Sequence, residues 1–291
     1  MAVFGAGGQL GSDLVRTAAD RPSPIEVIPL SRPLLDATDM AGTEARLQGL
    51  EFDAAVNCVA ATRVDDCETD PRPAVALNAH FAALVARACD RRGARLVHTS
   101  TDYVFGGGEQ RTPLDETAPR APVNVYGATK ALGEDLARLD HDDVLVVRLA
   151  ALFGVAGASG KGGNFVETMI RFGRERGTLK VVDDQHMSPT STLDAARMIW
   201  ALLDRQASAG VYHVANAGQS TWCGFARAIV EAAGVPAEVI AIPTSEFPTP
   251  ARRPAFSVLD GAKAAAAAGW TPPHWREALD AYLREKGHRP A

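Results

Sequence analysis

Two side chains able to do acid–base chemistry, Tyr126 and Lys130, stand four residues apart in the segment Tyr-Gly-Ala-Thr-Lys. At this spacing they share one face of a helix. A nearby ammonium favours a phenolate, so we expect Lys130 to lower the pKa of Tyr126 from its ordinary value of about 10 and to permit proton donation near neutral pH. The same spacing also arises by chance on solvated helix faces, so the rest of the chain has to decide between the two interpretations.

A hydroxyl-bearing segment, Ser100-Thr101-Asp102, follows the apolar stretch 95–99. If that stretch is a strand of a parallel sheet, its carboxyl end lies where ligands of open α/β sheets bind. Ser100 or Thr101 could then hydrogen-bond a substrate carbonyl beside the tyrosine. The alternative is a turn formed by a Ser/Thr-Asp pair.

A glycine-rich turn, Gly5-Ala-Gly-Gly-Gln-Leu-Gly11, stands between the apolar run 2–4 and residues with helical spacing. Glycines let the backbone approach a pyrophosphate, and the following helix N-terminus supplies amide donors. The order of strand, turn and helix therefore predicts a dinucleotide site, with a turn that holds no ligand as the alternative.

The predicted second strand, 26–30, ends at Ser31-Arg32, where a cofactor with a free ribose 2′-hydroxyl usually meets an acidic residue. A hydroxyl and a guanidinium suit a 2′-phosphate, so NADPH is favoured, with NADH as the alternative. Asp36 either lies near the adenine or caps a helix, as Thr38 or Asp39 could.

The hydrophobic pattern predicts strands that alternate with helices, which gives an α/β fold with a doubly wound parallel sheet. The predicted strands are 2–4, 26–30, 54–61, 95–99 and 144–148, and the helix 73–92 places Leu77 and other apolar residues against the sheet. The pattern changes beyond residue 148. The predicted elements there are a flexible glycine-rich stretch at 154–163, a basic helix at 165–176, a strand at 180–182, a helix at 193–203 and a strand at 211–214. The remainder, which includes a short helix at 262–268, is predicted to be a small α/β cap.

Composition limits the partners that the protein can have. The 291 residues are 46% hydrophobic and 22% charged with a net charge of -5, which argues against nucleic acid as the main partner. The four cysteines lack metal-ligand spacing and are expected to be free thiols. The chain starts directly with an apolar strand and has no apolar run of the roughly 20 residues that span a bilayer, so we expect no membrane partner and a cytoplasmic protein.

Six motifs occur in one order along nearly the whole chain and together resemble the extended short-chain dehydrogenase/reductases, and within them the dTDP-4-dehydrorhamnose reductases. They are Gly-Ala-Gly-Gly-Gln-Leu-Gly, Ser-Thr-Asp-Tyr-Val-Phe, Asn124-Val-Tyr-Gly-Ala-Thr-Lys with Gly133-Glu134, Gly163-Asn164-Phe165-Val166, Val182-Asp183-Asp184-Gln185 and Arg252-Arg253-Pro254-Ala-Phe-Ser257. The resemblance implies reduction, by NAD(P)H and without a metal, of a 4-keto-6-deoxyhexose carried on thymidine diphosphate. It also implies a Rossmann domain (1–149 plus about 178–214) and a smaller nucleotide-sugar domain (about 150–177 and 215–291), and it is compatible with a homodimer.

The resemblance assigns roles to particular residues of this chain. Thr101 would bind the substrate oxygen, Tyr126 would donate the proton, and Lys130 would hold the nicotinamide ribose. The cofactor set is Gly5, Gly8, Gln9, Leu10, Gly11, Ser31, Arg32, Asp36, Val59, Ala60, Ala61, Thr99, Tyr126 and Lys130, and the substrate set is Thr101, Asp102, Ala151, Asn164, Phe165 and Arg253.

Three positions depart from the pattern of that family. Ala151 stands where a tryptophan usually packs on the sugar, Ala61 replaces an aromatic residue, and Met187 replaces a glycine. We expect all three near the substrate, so the pocket is predicted to be reshaped. The predicted substrate is dTDP-4-dehydro-L-rhamnose, with another dTDP-ketosugar of a secondary-metabolite pathway as the alternative.

Two further interpretations and one ambiguity stay open. An epimerase or dehydratase is disfavoured because Tyr103, and not a second carboxylate, follows Asp102. A non-catalytic regulatory subunit that binds the dinucleotide is compatible with the loss of the tryptophan at position 151. The carrier could also be uridine in place of thymidine.

Overall fold

The computed structural model of the protein describes residues 1–21, 25–157 and 163–289. Its strands are β1 (Ala2–Phe4), β2 (Ile28–Leu30), β3 (Ala54–Asn57), β4 (Arg95–Thr101), β5 (Val144–Leu149), β6 (Leu152–Phe153), β7 (Thr178–Val182), β8 (His186–Met187), β9 (Thr190–Ser191), β10 (Gly210–Val214), β11 (Ser220–Thr221) and β12 (Glu238–Ile242). Its α-helices are α1 (Gln9–Thr17), α2 (Met40–Gln48), α3 (Val64–Thr69), α4 (Pro71–Val75), α5 (Phe81–Asp90), α6 (Val125–Asp140), α7 (Phe165–Arg176), α8 (Thr192–Asp204), α9 (Trp222–Ala232), α10 (Ala262–Ala268) and α11 (Trp275–Glu285).

Six parallel strands form the central sheet in the order β10-β5-β4-β3-β1-β2. Alternate side chains of the inner strands enter different cores: Val3 packs with α1 and α8 on one face, whereas Phe4 packs with α5 on the other. Helices on both faces explain why these strands are apolar on both sides. The predicted doubly wound α/β fold is confirmed.

A second, smaller core lies beside the sheet. Helices α7, α9 and α11 pack there around Phe225, and β7 pairs in parallel with β12 to form a separate two-stranded sheet. Leu179 and Val181 of β7 are buried in this core. The segment 178–182 therefore packs away from the central sheet. Further along the chain, β10 is a strand of the central sheet and α8 packs against that sheet.

Several predicted boundaries are wrong, and local hydrogen bonds explain why. The third strand ends at Asn57 and not at residue 61, because the Asn57 side chain accepts a 3.0 Å hydrogen bond from the Val59 amide. The fourth strand extends two residues further than predicted, since Ser100 and Thr101 pair with β5. The second strand begins at Ile28.

The predicted helix 73–92 is instead α4, a π-helical turn at Ala76–His80, and α5. The wider turn directs Asn78 toward Ala61, whose amide donates to Asn78 Oδ1 at 2.8 Å. Such turns are often found at functional sites.

The helix predicted at 165–176 and the short helix at 262–268 are confirmed, whereas α2, α9, α11 and β12 were not predicted. Part of the predicted flexible stretch, 158–162, lies outside the described residues. Among the described helices, none has the length and apolarity that a membrane crossing requires.

Candidate active site

One cavity of about 920 Å³ follows the carboxyl edge of the central sheet and extends to the second core. Nearly every predicted site residue lines it, and the exceptions are Ala61 and Arg253. Its lining includes Gly5, Gly8, Gln9, Leu10, Gly11, Ser31, Arg32, Asp36, Val59, Ala60, Thr99, Thr101, Asp102, Tyr126, Lys130, Ala151, Asn164 and Phe165.

The glycine turn closes one end of the cavity. A Cβ atom on Gly11 would lie 2.2 Å from the Gly5 carbonyl oxygen, so only glycine allows α1 to begin this close to β1. The N-cap of α1 is Gly8, which provides no side-chain cap. The first amides of α1 are thus left to bind an anion, and the turn fits a dinucleotide diphosphate.

The segment after β2 forms the wall next to the turn. Arg32 is exposed at the cavity edge, beside Ser31. Asp36 lines the cavity but accepts hydrogen bonds from both the amide and the hydroxyl of Thr38, and this lowers the pKa of Asp36. Asp39 caps α2 by accepting from the Gly42 amide, so the capping alternative is correct for Asp39 and not for Asp36.

Helix α6 brings the tyrosine and the lysine to the centre of the cavity. Asn124 caps it by accepting a 2.8 Å hydrogen bond from the Gly127 amide. A Cβ atom on Gly127 would lie 2.1 Å from the Tyr103 carbonyl oxygen, so glycine at this position lets the helix approach the end of β4. Tyr126 and Tyr103 form an edge-to-face pair with centroids 5.7 Å apart.

The prediction that the pKa of Tyr126 is lowered is wrong for the protein without bound cofactor. Burial raises the pKa of Tyr126, although interaction with the Thr101 hydroxyl opposes the shift. Lys130 is also buried: its Nζ atom donates a 2.6 Å hydrogen bond to the Thr99 carbonyl oxygen, and burial lowers the pKa of Lys130 to about 8. Tyr126 is consequently a neutral phenol at physiological pH, which is the state from which a proton is donated.

Of the two candidate hydroxyls, the structure favours Thr101. The Ser100 hydroxyl donates to Glu134 Oε1 at 2.5 Å, and Glu134 forms a two-point ion pair with Arg148 of β5. Burial opposes ionisation of Glu134, but the bonds from Arg148 and Ser100 outweigh it and lower the pKa of Glu134. Ser100 also lines the cavity, but its hydroxyl is engaged by Glu134, whereas the Thr101 hydroxyl interacts with Tyr126.

Three elements form the far end of the cavity: the segment after β5 and the N-termini of α7 and α9. Ala151 has a positive φ of 40° just after β5, and its small side chain leaves this wall open. Phe165 and Trp222 form an aromatic pair with centroids 4.7 Å apart. Asn164 lines the cavity, but its amide group donates to the Gly154 carbonyl and its oxygen caps α7.

Three residues expected at the substrate or cofactor lie outside the lining. Both polar backbone atoms of Ala61 bond to Asn78. Met187 is buried in the second core, so its substitution does not reshape the cavity wall. Arg253 forms a two-point ion pair with Asp65, with both distances 2.7 Å.

Sequence reasoning missed several lining residues, among them Trp222, Thr168, Leu77 and Cys58. Trp222 is brought to the cavity by Thr221, which caps α9. Trp222 and Thr168 are marked by no local signal, because they lie on α9 and α7 and their position depends on how the second core packs. Cys58, Cys89 and Cys223 are free thiols, as expected. The described residues hold no group of three or more His, Cys, Asp or Glu side chains arranged around a metal.

The fold and the site together define a class of protein. The doubly wound sheet has a glycine turn after its first strand, and a helix with Tyr-x-x-x-Lys lies beside the end of its fourth strand. This combination is that of the extended short-chain dehydrogenase/reductases. Residues 1–287 match the family described as the RmlD substrate binding domain. The chain belongs to this family.

Relatives of known name agree with this assignment. A dTDP-4-dehydrorhamnose reductase of Mycobacterium tuberculosis is 40% identical over 96% of this chain and 90% of its own length. A dTDP-4-keto-6-deoxy-D-glucose reductase of Streptomyces niveus is 40% identical over 95% of this chain and 94% of its own. The crystal structure of the Bacillus anthracis dTDP-4-dehydrorhamnose reductase in complex with NADP has a TM-score of 0.89 and 35% identity, and the match covers 98% of both chains.

Proposed function

We propose that the protein uses NADPH to reduce the C4 ketone of a dTDP-4-keto-6-deoxyhexose, with dTDP-4-dehydro-L-rhamnose as the substrate and dTDP-L-rhamnose as the product. One observation carries the proposal: a single cavity joins the glycine turn to Thr101, Tyr126 and Lys130 and then continues to the second core. The names of the relatives specify the sugar class and the position of the ketone.

The residues present fit the cofactor. The uncapped N-terminus of α1 would hold the diphosphate, and Ser31 with Arg32 would hold the 2′-phosphate. Lys130 would hold the nicotinamide ribose. When bound, NADPH supplies a hydride to the ketone carbon.

The protein's own residues act on the ketone oxygen. As the new C–H bond forms, the electron pair of the C=O π bond moves onto the oxygen, and the Thr101 and Tyr126 hydroxyls stabilise this charge where it develops. The Tyr126 proton then transfers to the oxygen and is later replaced from solvent. A neutral phenol, kept so by burial, is suited to this step.

A second candidate substrate is dTDP-4-keto-6-deoxy-D-glucose, which differs from the first in configuration at the sugar ring. The small Ala151 side chain at the cavity wall favours it, because an open wall accepts sugars of more than one shape. NADPH oxidation with each ketosugar, followed by identification of the product, decides between them. Oxidation with neither, despite measurable NADPH binding, would refute both candidates and favour a non-catalytic dinucleotide-binding role.

The remaining assignments are part of the same proposal. Residues 1–149 and about 188–214 are assigned to the dinucleotide domain, together with α10, which packs with α8 and β10 in the core of the central sheet. The nucleotide-sugar domain takes the remaining described residues, including 178–187, because β7 packs in the second core. The protein is proposed to be a cytoplasmic homodimer that carries thymidine and not uridine nucleotides in its site. Light scattering of the purified protein and competition by dTDP against UDP test the last two points.

A further inference from the structure

A buried carboxyl group lies directly behind Thr101. Asp102 is 3% exposed, and its two oxygens have different partners. Thr101 Oγ1 lies 3.1 Å from Oδ1, whereas the Ser257 hydroxyl donates to Oδ2 at 2.5 Å. Asp102 itself lines the cavity, and its oxygens are held by these two hydroxyl groups and by the backbone amides of Asp102 and Tyr103.

The Thr101 hydroxyl has only one proton to donate. Its oxygen already accepts a 3.1 Å hydrogen bond from the Tyr103 amide. If Asp102 is ionised, the Thr101 proton points to Oδ1 and the ketone oxygen meets a lone pair. Thr101 can therefore donate to the substrate only when Oδ1 carries a proton of its own.

We propose that Asp102 acts as a neutral acid that sets the direction of the Thr101 hydroxyl. A proton on Oδ1 is donated to Thr101 Oγ1, and the Thr101 proton turns toward the ketone oxygen. Ser257 occupies Oδ2 as a donor, which leaves Oδ1 as the place for the acid proton. Asp102 is thus a positioning residue that acts through Thr101, and its role rests on the proposed ketone reduction.

The surroundings of Asp102 agree with this state. Burial raises the pKa of Asp102 to about 7, while the hydrogen bonds from the Ser257 and Thr101 hydroxyls and from the backbone amides of Asp102 and Tyr103 oppose the shift. The titratable and charged groups packed around it are Tyr103 on its own turn, Tyr126 on α6, the pair of Arg253 and Asp65 beyond Tyr103, and His186, whose carbonyl oxygen accepts from the Ser257 amide. Within the described part of the chain, none of these groups forms an ion pair with Asp102.

The proposal gives activity a definite pH dependence. Ionisation of Asp102 takes one donor from the developing oxyanion, so kcat/KM should fall by at least about tenfold as the pH rises from about 6 to about 8.5. Titration of Lys130 or Tyr126 could produce a similar fall. Variants of Asp102 and Ser257 separate these causes.

The experiment measures kcat/KM against pH for the wild type, Asp102→Asn, Ser257→Ala and the control Asp115→Asn, which changes an exposed turn residue. An amide donates from Nδ2 whatever the pH, so Asp102→Asn should be slower by up to about tenfold at low pH and show no fall at high pH. Ser257→Ala removes a bond that favours the carboxylate, so the midpoint should move to higher pH. Asp115→Asn should follow the wild type.

Infrared difference spectra of the four proteins provide a readout that needs no turnover. A protonated-carboxyl band that disappears as the pH rises through about 7, and is absent from Asp102→Asn, supports the proposal even if the ketosugar proves to be wrong. The proposal is overturned if Asp102→Asn keeps the wild-type fall, if Ser257→Ala leaves the midpoint unchanged or lowers it, or if Asp102→Asn shows the same carboxyl band as the wild type.

Discussion

Lys130 donates a 2.6 Å hydrogen bond from Nζ to the carbonyl oxygen of Thr99, although its side chain is almost completely buried. Burial of this ammonium lowers its pKa to about 8. An unfolded lysine titrates near 10.4, so the unfolded chain binds more protons between these two pH values. Lys130 therefore costs stability below about pH 8, and this cost diminishes as the pH rises toward about 10.4.

Replacement of this charge by an apolar side chain of similar size should stabilise the protein while it abolishes turnover. We expect Lys130→Met to raise the free energy of unfolding by about 1–3 kcal/mol at pH 7, and by less near pH 10. Denaturant unfolding at both pH values measures this. The exposed Lys180→Met is the matched control and should change stability by less than about 0.5 kcal/mol. A Lys130→Met protein less stable than the wild type at pH 7 would contradict the interpretation.

Glu134 and Arg148 form the buried ion pair beneath the site, with distances of 2.8 and 2.9 Å. Removal of the carboxylate leaves the buried guanidinium without its partner of opposite charge. We therefore expect Glu134→Ala to lower the free energy of unfolding by about 3–5 kcal/mol. The neighbouring Asp135→Ala breaks only a surface pair with Arg120 and should lose at most about 1 kcal/mol. If denaturant unfolding showed equal losses of stability in the two variants, the larger contribution expected of the buried pair would be contradicted.

The lowered pKa of Glu134 also predicts how the free energy of unfolding changes as the pH falls. Its stabilising contribution is complete above the unfolded pKa of about 4.3 and is lost as the pH falls through the folded value. Acid titration of unfolding should therefore show a smaller loss of stability in Glu134→Gln than in the wild type. Parallel curves for the two proteins would contradict this.

Arg32 should discriminate between the two nicotinamide cofactors. Loss of a guanidinium that contacts a 2′-phosphate should weaken NADPH binding by about 10- to 100-fold and leave NADH binding unchanged. Isothermal titration of Arg32→Ala with both cofactors measures this, with Arg174→Ala on the outer face of α7 as the control. Wild-type protein that binds NADH as tightly as NADPH would refute the assignment.

Trp222 should bind the nucleotide-sugar and not the dinucleotide, since it lies with Phe165 at the end of the cavity formed by the second core. We expect Trp222→Ala to raise the KM for the ketosugar about tenfold while the affinity for NADPH stays the same. Phe247→Ala, an exposed aromatic residue outside the cavity, is the control. If Trp222→Ala weakened NADPH binding and left the KM for the ketosugar unchanged, Trp222 would belong to the cofactor half of the cavity and the prediction would be contradicted.

The catalytic segments and the parallel sheet could be predicted because their signals are local. The glycine turn, the apolar strands and the spacing from Tyr126 to Lys130 are all visible within short windows of sequence. The pairing of β7 with β12 joins segments about sixty residues apart, and Trp222 reaches the cavity only through that second core. Such placements depend on tertiary packing and leave no periodic pattern.

The error in the Tyr126 pKa has a different origin. Spacing along a helix indicates which charges are neighbours, but it does not give the depth at which they are buried. In the folded chain, burial raises the pKa of Tyr126 and outweighs the opposing hydrogen bond from Thr101, while the Lys130 ammonium bonds to the Thr99 carbonyl oxygen. The same limit applies to Asn164, whose predicted substrate-binding amide is engaged in capping α7.

The central claim is that the Tyr126 phenol donates the proton in ketone reduction. It is tested most directly by NADPH oxidation with dTDP-4-dehydro-L-rhamnose, compared between the wild type and Tyr126→Phe, with Tyr212→Phe as a control outside the cavity. We predict turnover by the wild type and the control, and a loss of at least about 100-fold in Tyr126→Phe with unchanged NADPH affinity. Equal turnover by Tyr126→Phe and the wild type would contradict the account.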